Sequence, residues 1–93
     1  MARGVLMTDT QLLQELEALA ERLSIAVSVA NLEGMPGGLC KHRGQWRLIL
    51  DRRLGVSDRI EAFLKALAKI PLEDVFVVPG VRERIEKHAR REA

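Results

Sequence analysis

The sequence predicts a small α+β protein in which two or three helices cover one face of a short antiparallel sheet. Three observations support this fold class. Residues 8–23 and 57–70 repeat apolar side chains at the spacing of one helical face. Residues 25–29 and 39–50 instead alternate from one side chain to the next, as half-buried strands do. The element order is therefore α-β-β-β-α-(β)-α, with three strands or, if residues 72–78 form another, four.

The length and composition indicate a single domain. The chain has 93 residues, of which 47% are hydrophobic and 30% charged, and this balance is typical of a folded protein. We expect one domain over residues 1–93, with a loose N-terminal segment at 1–7 and a frayed end at 90–93. The chain has one Trp, two Phe and no Tyr, so its core must be mainly aliphatic.

The composition also bears on the cellular location. The single cysteine excludes an intrachain disulfide and fits a reducing compartment. No apolar run approaches the roughly 18 residues that a membrane helix requires. We therefore expect a cytoplasmic protein that does not enter a membrane.

The first helix begins at a capping box, in which Thr8 and Gln11 exchange side-chain-to-backbone hydrogen bonds. Ser24 ends the helical pattern, and a strand follows it. The apolar face of the helix consists of Leu12, Leu13, Leu16, Leu19, Ala20 and Leu23. The buried side of the strand consists of Ile25, Val27 and Val29.

Residues 37–51 have the pattern of a β-hairpin, and a two-residue turn at Arg43-Gly44 or Gly44-Gln45 fits it best. This turn places Leu39, Trp46, Leu48 and Leu50 on one apolar face, with Lys41 as its charged exception. The opposite face then holds Cys40, His42, Arg47, Ile49 and Asp51. A three-residue turn would instead bring Cys40 beneath Leu48, and it gives a less uniform apolar face.

The second helix begins at Ser57 or Asp58, where Asp58 and Glu61 match a capping box, and Pro71 ends it. Its apolar face consists of Ile60, Phe63, Leu64, Leu67 and Ala68.

Residues 72–78 have strand composition, but Pro79 and Gly80 follow directly, so this segment is either a short edge strand or an apolar loop. A third helix begins near Pro79. Its narrow apolar stripe consists of Val81, Ile85 and Ala89.

The second face of the sheet is too polar for a core and too mixed for a surface that meets only solvent. Its members are Ala26, Ser28, Cys40, His42, Arg47 and Ile49. A homodimer formed through this face, or through an edge of the sheet, would cover it.

Basic residues concentrate in and after the hairpin, although the net charge of the whole chain is only +2. The basic residues between 41 and 59 are Lys41, Arg43, Arg47, Arg52, Arg53 and Arg59. A local positive field attracts acidic proteins, phosphates and nucleic acid. We therefore predict a binding surface for an acidic protein or another anionic partner at Lys41, Arg43, Arg47, Arg52 and Arg53. Nucleic acid is an alternative partner, and a solvated basic loop is the interpretation without a partner.

A thiol or metal site is the alternative function. Cys40 and His42 lie two residues apart on a strand and so point the same way, and His88 on the last helix would be a third ligand. A zinc site needs three or four ligands, and the sequence shows no further motif that would complete one. The residues therefore favour a non-enzymatic protein, and they predict no cofactor.

The pattern GGLCK at residues 37–41, with Gly44 and then LD at residues 50–51, resembles a small family of uncharacterised bacterial proteins. The resemblance extends to residue 82, and it implies no activity. The hairpin and the helix after it are also similar to the core of zinc peptidases of the IrrE type, whose helix carries HExxH. Here residues 60–67 read IEAFLKAL, so both histidines are missing and only Glu61 keeps an acidic side chain. This second resemblance implies a shared fold and a lost activity.

Overall fold

The computed structural model describes residues 7–92, and this part of the chain forms three helices and a three-stranded sheet. The helices are α1 (Asp9–Arg22), α2 (Val56–Leu67) and α3 (Pro79–Glu92). The strands are β1 (Ala26–Ala30), β2 (Gly38–His42) and β3 (Gln45–Asp51). The predicted α+β class is confirmed. Residues 90–92 continue α3, whereas the expectations for residues 1–6 and Ala93 lie outside the described residues.

The start of α1 is the capping box that the sequence predicts. The Thr8 hydroxyl accepts a hydrogen bond from the Gln11 amide at 3.1 Å, and the Thr8 amide donates to the Gln11 side chain at 2.9 Å. Ser24 adopts a positive φ of 61°, and the next amide, that of Ile25, donates back to the Ala20 carbonyl at 2.9 Å. This turn brings the chain from the end of α1 directly into β1.

The sheet is mixed, with strand order β1-β3-β2, and this corrects the prediction that it is antiparallel throughout. β2 and β3 form the antiparallel hairpin, whereas β1 pairs with β3 in parallel, from Ala26 opposite Arg47 to Ala30 opposite Asp51. The reason lies in residues 31–37, which carry the chain past β3 so that β2 forms the far edge. The hairpin then returns β3 to the middle of the sheet, in the direction of β1.

The hairpin has the predicted register. Arg43 and Gly44 form the two-residue turn with φ angles of 53° and 81°, and such positive values are typical of the turn type that joins twisted strands. Lys41 pairs with Trp46, and Cys40 pairs with Arg47. Cys40 is exposed, so the alternative in which it lies beneath Leu48 is wrong.

The helices form a layer over one face of the sheet. α1 contacts β1, and α2 contacts β2 and β3, whereas α3 packs against α1 and α2 rather than against the strands. Phe63 at the centre of α2 is fully buried, and the rest of the core is aliphatic. The buried residues are Leu12, Leu16, Leu19, Ala20, Ile25, Leu48, Leu50, Ile60, Phe63, Leu64, Ala66, Leu67, Val77, Val81 and Ile85. None of the described helices has the length and apolar content needed to cross a membrane.

The start of α2 differs from the prediction. The helix begins at Val56 with Gly55 as its N-cap, and no side chain forms a capping hydrogen bond there. The predicted box of Asp58 and Glu61 is wrong because the helix starts earlier and places Asp58 within its first turn. Asp58 there still lies near the positive end of the helix dipole.

Residues 71–78 form a loop, which excludes the fourth strand that the sequence left open. Val77 is buried in the core, whereas Phe76 is 72% exposed. The Arg82 guanidinium donates from one nitrogen to the carbonyls of Leu72 and Val75, at 3.3 and 3.1 Å. Two carbonyls of this loop therefore bond to a side chain of α3 instead of to a neighbouring strand.

Candidate binding surface

The face of the sheet that points away from the helices, called the open face below, is largely uncovered. Leu48 and Leu50 of β3 point into the core and are buried, whereas Arg47 on the other side is exposed and Ile49 is half-buried. The strand pairing places ten residues on this face. They are Ala26, Ser28, Ala30, Gly38, Cys40, His42, Gln45, Arg47, Ile49 and Asp51. The second sheet face that we predicted to lack a covering layer is therefore exposed in the described part of the chain.

Arg47 is the central charged group of the open face. It lies on the middle strand, opposite Ala26 on β1 and Cys40 on β2. Among residues 7–92 its guanidinium forms no ion pair. The small side chains of Ala26 and Ser28 leave space on one side of it, and Ile49 adds an apolar surface. The arrangement offers a guanidinium to a planar acceptor such as a carboxylate.

The other predicted basic residues are dispersed, so they do not form one patch with Arg47. Lys41 points to the helix side, where its ammonium lies 4.9 Å from the centre of the Trp46 ring. Arg43 occupies the hairpin turn at one end of the sheet. Arg52 and Arg53 follow β3 at the other end. Strand alternation thus separates charges that are close in the sequence.

Arg53 is also bound within its own chain. Its guanidinium lies 3.1 Å from the Asp51 carboxylate, and its backbone amide donates to the same carboxylate at 3.0 Å. The side-chain hydrogen bond from Arg53, and then the backbone bond, lower the pKa of Asp51 below the ordinary value of 3.8. Arg53 is therefore less available to an external anion than an unpaired arginine.

The three residues of the thiol or metal alternative are not brought together. Cys40 and His42 are exposed on the open face, whereas His88 lies on α3, which does not contact the strands. His88 Nδ1 is instead 3.5 Å from the Glu61 carboxylate. The described residues contain no group of three His, Cys, Asp or Glu side chains placed to hold a metal. Glu61 thus lies beside His88 of α3 and not beside the thiol of Cys40.

A groove between α1 and β1 is a feature that the sequence analysis missed. It has a volume of about 530 Å³ and is lined by Glu17 and Glu21 of α1 and by the first residues of β1.

We expected Val27 and Val29 to be buried, but they are 39% and 42% exposed because β1 is an edge strand. No signal in the sequence indicated this exposure, since AVSVA contains neither the charge nor the proline that usually protects an edge.

Comparison with models of protein families, with curated proteins and with solved structures found no match. The two resemblances described above accordingly stay predictions.

Proposed function

We propose that this protein is a cytoplasmic, non-enzymatic binding module that recognises an acidic protein through its open face and acts as a homodimer. The observation that carries this proposal is the exposed Arg47, which forms no ion pair within residues 7–92 and lies at the centre of a sheet face that no described helix covers. The two edge strands support the homodimer. The single exposed thiol of Cys40 fits a reducing compartment.

The chemistry of the open face favours a carboxylate-bearing protein over other anions. A guanidinium binds a carboxylate with two parallel hydrogen bonds, and Ile49 beside Arg47 supplies apolar area that a protein side chain can cover. Binding to a nucleic-acid backbone normally uses a row of several cations. Here Lys41 lies on the helix side, and Arg53 is paired with Asp51.

The proposal is tested by following backbone amide signals in NMR while a short poly-glutamate peptide is added at low salt. We expect the largest shifts at Cys40, Arg47 and Ile49, and we expect Arg47→Gln to abolish them. Arg84→Gln is the matched control, because Arg84 is an exposed arginine of α3 and forms no ion pair among the described residues. It should leave the shifts unchanged.

A second titration with a short DNA duplex separates the two kinds of partner. Shifts on the open face with the peptide and none with the duplex support the proposal. Equal responses of Arg47→Gln and Arg84→Gln would show that the peptide binds only through the overall charge, and this result would contradict it. Stronger binding of the duplex, spread over the turn and α3, would assign the surface to nucleic acid instead.

A further inference from the structure

Within residues 7–92, no backbone hydrogen bond is made to the outer edge of β1. The Ala30 carbonyl accepts a hydrogen bond from the Arg52 amide at 2.8 Å, so Ala30 directs its backbone groups towards β3. Successive residues of a strand direct these groups to opposite sides. Val27 and Val29 therefore direct their amides and carbonyls away from β3, towards the edge where a further strand can add.

The side chains of this edge are compatible with close pairing. Val27 and Val29 are partly exposed on the helix side of the strand, and the residues between and beside them on the open face are Ala26, Ser28 and Ala30. The five-residue strand carries no charged side chain, so nothing in it repels a second strand.

Charges of both signs flank each end of β1. On the open face, Arg47 lies opposite Ala26 and Asp51 lies opposite Ala30. Antiparallel pairing of two copies therefore brings these unlike charges towards each other.

Glu17 and Glu21 line the groove beside the first residues of β1. Arg52 follows β3 and lies next to Ala30, the last residue of β1. When two copies of β1 pair in antiparallel orientation, Arg52 of one copy comes to the groove lined by Glu17 and Glu21 of the other. A parallel arrangement would bring like charges together.

We infer that a second copy of this chain adds to β1 in antiparallel orientation and forms a continuous six-stranded sheet. This inference rests on the homodimer of the proposed function and specifies its interface. The outward backbone groups of Val27 pair with those of Val29 of the second copy, and Ser28 faces Ser28 of the second copy at the two-fold axis. The four valines then cover one another on the helix side. The two open faces join into one surface that carries two copies of Arg47.

Engineered disulfides test this register. Directly opposite residues that are not hydrogen-bonded to each other lie about 4.5 Å apart between Cα atoms, within the range that a disulfide spans. In a Cys40→Ser background we expect Ser28→Cys to form a covalent dimer on mild oxidation, seen on a non-reducing gel. The matched variants Ala26→Cys and Ala30→Cys should not cross-link alone, because like residues lie more than about 13 Å apart. A mixture of these two variants should cross-link.

A backbone substitution tests the same edge without a new thiol. Val29→Pro removes an amide that points outward and spares the bonds to β3. We expect it to raise the dimer dissociation constant by about tenfold or more, because two hydrogen bonds are lost across the axis. The measurement is sedimentation equilibrium, with circular dichroism as a check of folding. Val29→Ile retains both the amide and an apolar β-branched side chain, and it should leave the constant nearly unchanged.

The inference is overturned if the unmodified protein is monomeric throughout the concentration series, or if Ser28→Cys cross-links no faster than Ala26→Cys. These results separate the interface from the binding function. If monomeric Val29→Pro still shows the open-face shifts with poly-glutamate, the binding proposal stands whatever the outcome for the dimer. If Ser28→Cys cross-links but the unmodified protein shows no open-face shifts with poly-glutamate, the interface stands and the binding proposal fails.

Discussion

Neighbouring cations of the hairpin have different local environments. Lys41 lies over the ring of Trp46, whereas Arg53 is held by the Asp51 carboxylate. Arg47, on the open face, has neither kind of contact among the described residues. The contacts of each cation within its own chain therefore depend on which way its side chain points, and the number of cations along the chain does not indicate them.

The Asp51–Arg53 pair predicts a pH dependence of stability. Because the hydrogen bonds from Arg53 lower the pKa of Asp51 in the folded protein, the folded state binds this proton less readily than the unfolded chain. The stabilisation is complete above the ordinary pKa of 3.8 and is lost as the pH falls through the lowered pKa. We expect Asp51→Asn to be less stable than the unmodified protein at neutral pH.

The difference in the free energy of unfolding between Asp51→Asn and the unmodified protein should shrink towards zero in acid well below pH 3.8. Urea unfolding at both pH values measures it. Asp74→Asn is the control, because Asp74 is exposed and forms no ion pair among the described residues. A difference for Asp51→Asn that stays constant with pH would show that the carboxylate charge has no part in the stabilisation.

At the scale of the elements, most local patterns were predictable, although the cap of α2 was not, and the path of the chain between the elements was not predictable either. The capping box at Thr8 and the hairpin register depend on residues a few positions apart, so the sequence contains what is needed to infer them. The direction of β1 relative to β3 depends on how residues 31–37 pass β3. A loop of that composition fits either direction of β1, so the sequence does not decide between them. The exposure of Val27 and Val29 follows from that path.

Part of the candidate site was predictable from local patterns, and part of it was not. The alternation of side chains correctly placed Cys40, His42 and Arg47 on one face of the sheet. Once the position of the turn is known, a repeat of two residues determines the face on which each side chain lies. The groove beside Glu17 and Glu21 could not be inferred, since it exists only where α1 and β1 lie side by side. Predictions from period alone therefore assign a residue to a face, whereas edges and grooves require the packing of whole elements.

The uncapped start of α2 gives a prediction for an element. Gly55 has φ −76° and ψ 178°, an extended conformation that serine adopts readily, and a Cβ there meets no atom within 4 Å. A serine hydroxyl can accept one of the free amides of the first turn, and it also restricts the unfolded chain. We expect Gly55→Ser to raise the free energy of unfolding by about 0.5–1 kcal/mol.

The same substitution at another exposed glycine is the control. Gly34 has space for a Cβ but a φ of +86°, where a side chain introduces backbone strain. We expect Gly34→Ser to lower the free energy of unfolding by about 1 kcal/mol. Denaturant unfolding of both variants measures the difference. A loss of stability in Gly55→Ser would mean that the serine does not cap the helix.

At the scale of the whole molecule, Phe63 is the one aromatic residue buried in the core of the described chain, and Trp46 packs against that core from its border. Phe63 is 0% exposed and lies among aliphatic side chains contributed by all three helices and the sheet. α3 reaches this core only through its contacts with the other helices, and the 71–78 loop adds Val77. The hydrophobic layer that holds the sheet and the helices together is therefore centred on α2.

The two phenylalanines provide a matched test of this arrangement, since one lies in the core and the other, Phe76, is 72% exposed. Phe63→Ala removes a fully buried ring and leaves a cavity, so we expect a loss of about 3–5 kcal/mol in the free energy of unfolding. A chain of this length has a total stability of roughly 5–14 kcal/mol, so that loss is a large fraction of it. Phe76→Ala retains the carbonyl that accepts a hydrogen bond from Arg22 at 3.0 Å, and it should change stability by less than about 0.5 kcal/mol. Thermal and urea unfolding measure both values. Similar losses for the two variants would mean that Phe76 is covered in solution, and the most direct explanation would be an interface that includes the 71–78 loop.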